Sequence, residues 1–338
     1  MKKQILALLA MAALTSCATS NLGYDGRTFK NSYNSITAED LKKHLYIVAS
    51  DEMEGRDTGS EGQKKAGRYM ISEYRKMGVG APPSSNDYYQ RIPKEALSSR
   101  GNLPDSENIL AYIRGTEKPD ELIVISAHYD HVGKNKNGEV YNGADDDGSG
   151  TVALMEIAEA FKKATSWGKA PKRSILILHV TGEEHGLLGS KYYADNPVFP
   201  LANTVANLNI DMIGRSDAEN AGKNYVYVIG SEMLSSDLKK IMEQANRTTT
   251  QLDLNYKYDD PKDPQMLYYR SDHYNFAKNN IPVAFFFDGI HEDYHKVTDD
   301  PEKIDYPLLQ KRTQLVFATA WELANRSARI VVDGKNTR

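Results

Sequence analysis

Residues 122–130 read LIVISAHYD and residues 174–185 read SILILHVTGEEH. Each is a short apolar run, rich in β-branched residues, that stops abruptly at histidine and acid. A continuous run of that length, without polar alternation, suits a strand buried on both faces, and both faces are covered only when helices pack above and below the sheet. Working outward, comparable runs occupy 108–113, 204–210, 225–229 and 283–287, bounded by Gly, Pro, Asp or Lys. Amphipathic stretches at 151–164, 235–245, 273–278 and 306–324 lie between or after them. Strands alternating with helices predict a three-layer α/β/α domain.

Upstream, Leu41, Leu45 and Val48 share one helical face, and Ala66, Tyr69, Met70, Glu73, Tyr74 and Met77 repeat at helical spacing until Gly78. A polar loop from Asp51 to Gly62 separates these two helices, and Gly80 to Pro104 reads as loop. With no internal repeat and no linker, residues 37–326 form one expected domain, and 327–338 a C-terminal tail. At the other end Lys2 and Lys3 precede an apolar run, Ile5 to Leu14, that is too short to span a bilayer. Leu14-Thr15-Ser16-Cys17 resembles the lipobox of bacterial lipoproteins, so residues 1–16 are expected to be a signal peptide. Cys17 is then the lipidated residue and 17–36 a flexible tether, rich in Ser, Asn, Gly and Thr. The expected location is outside the cytoplasm, lipid-anchored to the bacterial cell envelope, at the outer membrane and facing periplasm or surface.

Cys17 is the only cysteine, so the fold must rest on its core rather than on disulfides. A net charge of −4 offers no basic field for phosphate backbones, which argues against nucleic acid as a partner. A monomer is expected, touching the membrane only through the lipid on Cys17.

The chemistry gathers where strands end, the edge at which α/β sheets collect ligands. His128, Tyr129 and Asp130 follow the first quoted run, and the next loop ends in GADDDGSG (143–150). The second run ends in Glu183, Glu184 and His185; Asp211 follows 204–210, and Tyr294 and His295 come soon after 283–287. Singly these are ordinary polar strand ends or charged helix starts. Their recurrence after successive strands points to a metal centre, and the mixture of imidazole and carboxylate suits Zn²⁺, Mn²⁺ or Co²⁺ rather than Ca²⁺ or Mg²⁺.

These motifs also resemble a family. LYIVASDEMEGRDTGSEGQKKAGRYM (45–70), SAHYDHVG (126–133), GADDDGSG, TGEEHGLLGS (181–190), NIDMIG (209–214), RSDHYNF (270–276) and YHKVTDDP (294–301) occur in the order found in the co-catalytic di-zinc aminopeptidases, metallopeptidase family twenty-eight. That family also includes glutamate carboxypeptidases and glutaminyl cyclases. The resemblance implies a mixed, mostly parallel central sheet, two Zn²⁺ per chain and removal of residues from peptides with a free N-terminus. It makes His128 and Asp211 ligands of one ion, Glu184 and His295 ligands of the other, and Asp146 the bridge, chosen over Asp145 and Asp147 because the family's bridging acid stands three residues before the Ser of its Ser-Gly pair. Glu183 would be the general base acting on water activated between the ions, and Tyr294 the donor to the developing oxyanion. Asp130 is expected to orient His128, and Asp272 to act at second rank or in positioning. His44, His131, His179, His185, His273 and His291 are expected to be structural or exposed rather than ligands. Tyr268, Tyr269, Tyr274 and Phe287 are candidates for the side-chain pocket. The short 80–104 segment leaves no room for the apical domain of the carboxypeptidase branch.

Rival readings are a glutaminyl cyclase on the same fold and a non-catalytic binding protein. A third arises because residues 291–295 spell HEDYH, the H-E-x-x-H pattern that binds zinc from one face of a helix. Gly289 before it and Pro301 after it argue against a helix, so the match is read as coincidence.

Overall fold

In a computed structural model, the described residues are 26–85, 87–98, 102–260 and 262–334. The expected signal peptide, Cys17 and the first part of the tether lie outside them. Strands β1 (Tyr89–Ile92), β2 (Ser106–Ile113), β3 (Lys118–His128), β4 (Arg173–Val180), β5 (Thr204–Ile210), β6 (Tyr225–Ile229), β7 (Asp253–Asn255) and β8 (Val283–Phe287) form one mixed sheet in the order β1-β2-β4-β3-β5-β8-β6-β7. The four central strands β4, β3, β5 and β8 are mutually parallel, whereas β2 joins β4, and β6 joins β8, antiparallel. Four adjacent parallel strands present their carboxyl ends along one edge, which is what a ligand-gathering rim requires.

Alternation along each strand divides the core in two. Ile109, Ile123, Ile125, Ile175 and Ile177 face one layer, and Leu110, Leu122, Val124, Leu176 and Leu178 the other. The first layer is closed by α2 (Ala38–Val48), α3 (Glu61–Met77), α5 (Gly150–Ser166), α7 (Ser236–Thr248) and α9 (Tyr306–Asn325). The second is closed by α6 (Leu188–Asp195) and α8 (His273–Ala277), with Tyr193 and Phe276 packed beneath them. The three-layer expectation is therefore met. Local signals place the helix ends: Thr37 accepts from the Asp40 amide at 3.1 Å, and α3 stops at Gly78, whose φ of +73° favours glycine.

Three boundaries need correction. The tether expected over 17–36 is helical from Arg27 to Asn34 (α1), because Phe29 inserts against Phe317, rings 6.0 Å apart, and edge-on to Trp321 at 5.5 Å. The residues expected as a tail also pack: Ile330 is buried and the Gly334 amide donates to the Leu234 carbonyl. The loop expected over 80–104 contains β1 and a short helix, α4 (Lys94–Leu97). Among the described residues no helix is long and apolar enough to cross a membrane.

Candidate metal centre

Strand ends deliver His128 and Asp211 to the rim, the turn after β4 brings Glu183 and Glu184, and loops bring Asp146 and His295. His128 is the last residue of β3, and its Nδ1 lies 3.1 Å from the Asp130 carbonyl oxygen, with the Asp130 carboxylate at 3.8 Å. The orienting contact expected from the Asp130 carboxylate thus falls on its backbone instead. That carboxylate accepts from the Glu183 amide at 3.2 Å and from Thr58 Oγ1 at 2.9 Å, so it anchors the turn after β4. Asp211, directly after β5, has Oδ2 fixed by Ser271 Oγ at 2.6 Å, and Ser271 is held in turn by Asn209. Asp272 is fully buried and accepts from Ser190 of α6 at 2.5 Å, the helix that follows Glu183 and Glu184. Its part in the site is therefore support of that segment, in keeping with a positioning role.

The 144–146 loop is suspended from the opposite side of the sequence. Asp299 accepts from the amides of Asp145 (3.0 Å) and Asp146 (3.2 Å), and its carbonyl accepts from Ala144. Arg56, wholly buried, donates to the carbonyls of Val48, Tyr129, Asn142 and Gly143 at 2.7–3.0 Å. Neither role was legible in the sequence, because both depend on chain segments far apart. Within the loop, Asp145 turns inward to the Gly214 amide and His291 Nε2. Asp147 Oδ1 accepts from the amides of Gly150 and Met212. Asp146 is left facing the imidazoles.

The five expected ligands converge. Asp146 Oδ1 lies 3.3 Å from His128 Nε2, and Asp146 Oδ2 lies 3.0 Å from His295 Nε2. His128 Nε2 is also 3.6 Å from Asp211 Oδ1, and His295 Nε2 is 3.0 Å from Glu184 Oε2. The atoms form two neighbouring groups: His128, Asp147 and Asp211 have ligand atoms within 4.8 Å of one another, as do His131, Asp146 and Glu184. Asp147 and His131 were not among the expected ligands. His131, expected to be structural or exposed, is buried with Nδ1 2.9 Å from Glu184 Oε1. The remaining histidines meet other partners: His179 meets Tyr74, His44 meets Tyr69, His185 meets Asp57, His291 meets Asp145, and His273 is stacked on Phe285.

Electrostatics describe an anionic pocket. Burial alone would lower His128, yet Glu183, Asp211 and Asp146 hold the imidazole well above its usual range. Burial alone would raise Asp146, yet His128 and His295 hold it well below its own. Glu183 has its Oε2 4.0 Å from His128 Nε2, and its carboxyl is pushed well up, by burial first and, against the pull of His128, by Asp211 and Glu184. Buried acids outnumber their imidazole partners, and the donor set mixes oxygen with nitrogen; both properties fit zinc dications. Tyr294 stacks on His295, ring centroids 4.0 Å apart, and burial and nearby acids keep its hydroxyl protonated.

Beside these groups opens a pocket walled by Met212, Leu267, Phe285, Phe287 and Ile290, shared with Asp146, Glu183, Asp211, Arg270 and Tyr294. Of the four aromatic candidates only Phe287 lines it. Tyr268 is instead buried edge-on against Tyr269 and Tyr274. The HEDYH match is no helix: the segment is a series of turns, His295 has φ +54°, and Glu292 is exposed.

The chain matches the model of Peptidase family M28 over residues 108–320. It is 37% identical over 124 residues to a vacuolar membrane protease of Verticillium alfalfae, covering 32% of this chain and 11% of that protein. It is 30% identical over 175 residues to a probable zinc metalloprotease of Pyrenophora teres f. teres, covering 50% of this chain and 34% of that protein. The chain thus spans about a third or less of these curated relatives. Its fold is that of BSAP, a zinc aminopeptidase from Bacillus subtilis, with a TM-score of 0.66 at 18% identity over 89% of this chain and 99% of that one.

Proposed function

This chain belongs to Peptidase family M28, and on that premise we propose that it is a zinc-dependent aminopeptidase holding two ions and releasing N-terminal residues from peptides. The observation that carries the reading is Asp146, whose two oxygens are divided between His128 and His295 at 3.3 and 3.0 Å. A carboxylate so placed would offset the mutual repulsion of two bound dications. His128 and Asp211 would hold one ion, Glu184 and His295 the other, and Asp146 both. Bound zinc supplies Lewis acidity and a lowered pKa for water at the site.

The chain's own residues do the rest. Glu183, on the backbone turn that also fixes Glu184, takes a proton from the attacking water and passes it to the leaving amine. Tyr294 donates its hydroxyl hydrogen to the oxygen that gains charge in the tetrahedral state. The apolar wall of Leu267, Phe285, Phe287 and Ile290 receives the side chain of the residue released. The test is a panel of aminoacyl amides and N-blocked peptides, assayed with zinc and after chelation. Free amino acid from unblocked substrates only, restored by zinc, is expected. Pyroglutamate from a Gln-peptide, or no turnover by zinc-loaded protein, would overturn the reading. The lipobox at Cys17 supports export and lipid anchoring, which palmitate labelling lost in Cys17→Ala would test.

A further inference from the structure

Glu184 meets two histidines, and its two oxygens are divided between them. Oε2 lies 3.0 Å from His295 Nε2, the position expected of a second ligand to the same ion, whereas Oε1 lies 2.9 Å from His131 Nδ1. We propose that His131 is a positioning residue for Glu184: its Nδ1–H donates to Oε1 and thereby leaves Oε2 as the oxygen that meets the metal. This assignment rests on the two-ion reading above.

Three features of the structure show that the ring is built into place. His131 is fully buried, and its amide donates to the Arg56 carbonyl at 3.1 Å, fixing the backbone from which the ring projects. The turn opposite is shaped around the ring: a Cβ on Gly143 would stand 2.5 Å from His131 Cδ2 and 2.6 Å from Cγ, and φ at that glycine is +53°. The His131 ring also stands edge-on to His295, centroids 5.7 Å apart, so the two imidazoles flank the same carboxylate. The tautomer follows from the partners. Among the described residues Nε2 has no hydrogen-bond partner, and a bare acceptor there is easier to bury than an unpaired N–H, which puts the proton on Nδ1, where an acceptor waits.

Direct ligation by His131 fits less well. Asp146 Oδ2, Glu184 Oε2 and His295 Nε2 already surround one position, and a catalytic zinc keeps a coordination place open for water or substrate. A fourth protein ligand would close it. His131 Nδ1 is also 3.9 Å from Asp146 Oδ2, farther than any contact among those three that includes His295. Hydrogen bonds of this kind to metal-binding side chains are typically worth about 10–100-fold in metal affinity.

The test measures zinc stoichiometry and the affinity of each ion by competition with a chromophoric chelator, on wild type, His131→Ala, His131→Asn and His131→Gln. The Asn amide nitrogen can take the place of Nδ1; that of Gln reaches further and cannot. Wild type should bind two ions. His131→Ala and His131→Gln should weaken one of them by about 10–100-fold and leave the other nearly unchanged, and His131→Asn should restore most of the loss. The absorption of the cobalt-loaded Asn variant should match that of wild type, because no ligand has been removed. Unaltered affinities in Ala and Gln would overturn the assignment. So would an Asn variant as weak as Gln, with altered cobalt absorption, since the imidazole would then itself be a ligand. If Ala does not fold, the contrast between Asn and Gln decides. Wild type binding fewer than two ions would sink the two-ion reading, and the assignment with it.

Discussion

At the scale of single residues, two glutamates in different motifs, Glu183 and Glu292, separate the competing chemistries. Glu183→Gln keeps the shape of the side chain and every metal-facing atom of Glu184, but it cannot take a proton. Turnover should fall by about 10²–10⁴-fold with zinc content unchanged, measured by steady-state kinetics and metal analysis on one preparation. Glu292, on the surface and paired with Arg215 at 3.6 Å, should tolerate the same change with kcat/KM within about twofold. The reverse pattern would restore the HEDYH reading. Tyr294→Phe removes only the hydroxyl from a stacked ring, and kcat should drop by about 10²-fold while KM changes little, because the hydroxyl acts on charge that exists only in the transition state. Of the five ligand candidates, His128, Glu184 and Asp211 were legible in the sequence because each stands at or just past the end of an apolar run, whereas the choice of Asp146, in the loop after β3, came from the resemblance of its motif. His131, Arg56 and Asp299 were not, since a histidine two residues past Tyr129 looks the same whether it faces solvent or a carboxylate. Only the folded chain shows Asp299 reaching back to the amides of Asp145 and Asp146.

At the scale of elements, the six central runs were readable because burial on both faces keeps them mostly apolar, with scattered exceptions such as Asn207 and Asn209. The edge strands β1 and β7 were not: they are short, carry residues such as Arg91 and Asp253, and depend on a neighbour for their conformation. Helix α6 was hidden by the glycines and acids of the preceding turn. Packing between elements also yields a pH signature remote from the metals. Glu156 of α5 is buried against His44 of α2, Oε1 to Nε2 3.6 Å, and its carboxyl is pushed up from 4.5 to about 8, by burial first and then by Glu159 and Asp40. Its folded value lies above its unfolded one, so the stability it contributes is fully present below pH 4.5 and is lost as pH rises through about 8. Glu156→Gln should therefore match wild type in urea unfolding near pH 4.5 and exceed it by more than about 1 kcal/mol at pH 9. A wild-type stability equal to the variant's at both pH values would show that the carboxyl ionises freely.

At the scale of the whole molecule, α1 decides where the domain begins. Its polar surface made it look like linker, but the Gln314 amide donates to the Tyr33 and Ile36 carbonyls, and Phe29 is buried against α9. Phe29→Ala should cost about 3 kcal/mol in chemical unfolding, whereas a side chain in a loose tether would cost nothing. Chelation should act on the whole molecule too. Acids gathered at one rim repel once their cations are gone, so Tm should fall on metal removal and recover on adding zinc.

The clamp between Asp299 and the 144–146 loop bears on biosynthesis. Residues that emerge early from the ribosome supply His128 and Asp146, but the carboxylate that holds the loop's amides emerges some 150 residues later, with His295 just ahead of it. A nascent or truncated chain ending before β8 therefore has neither His295, the last of the proposed ligands, nor the strap. On the proposed assignment, the site can close only once His295 and Asp299 have been made, which would leave shorter copies inert toward the peptides around them.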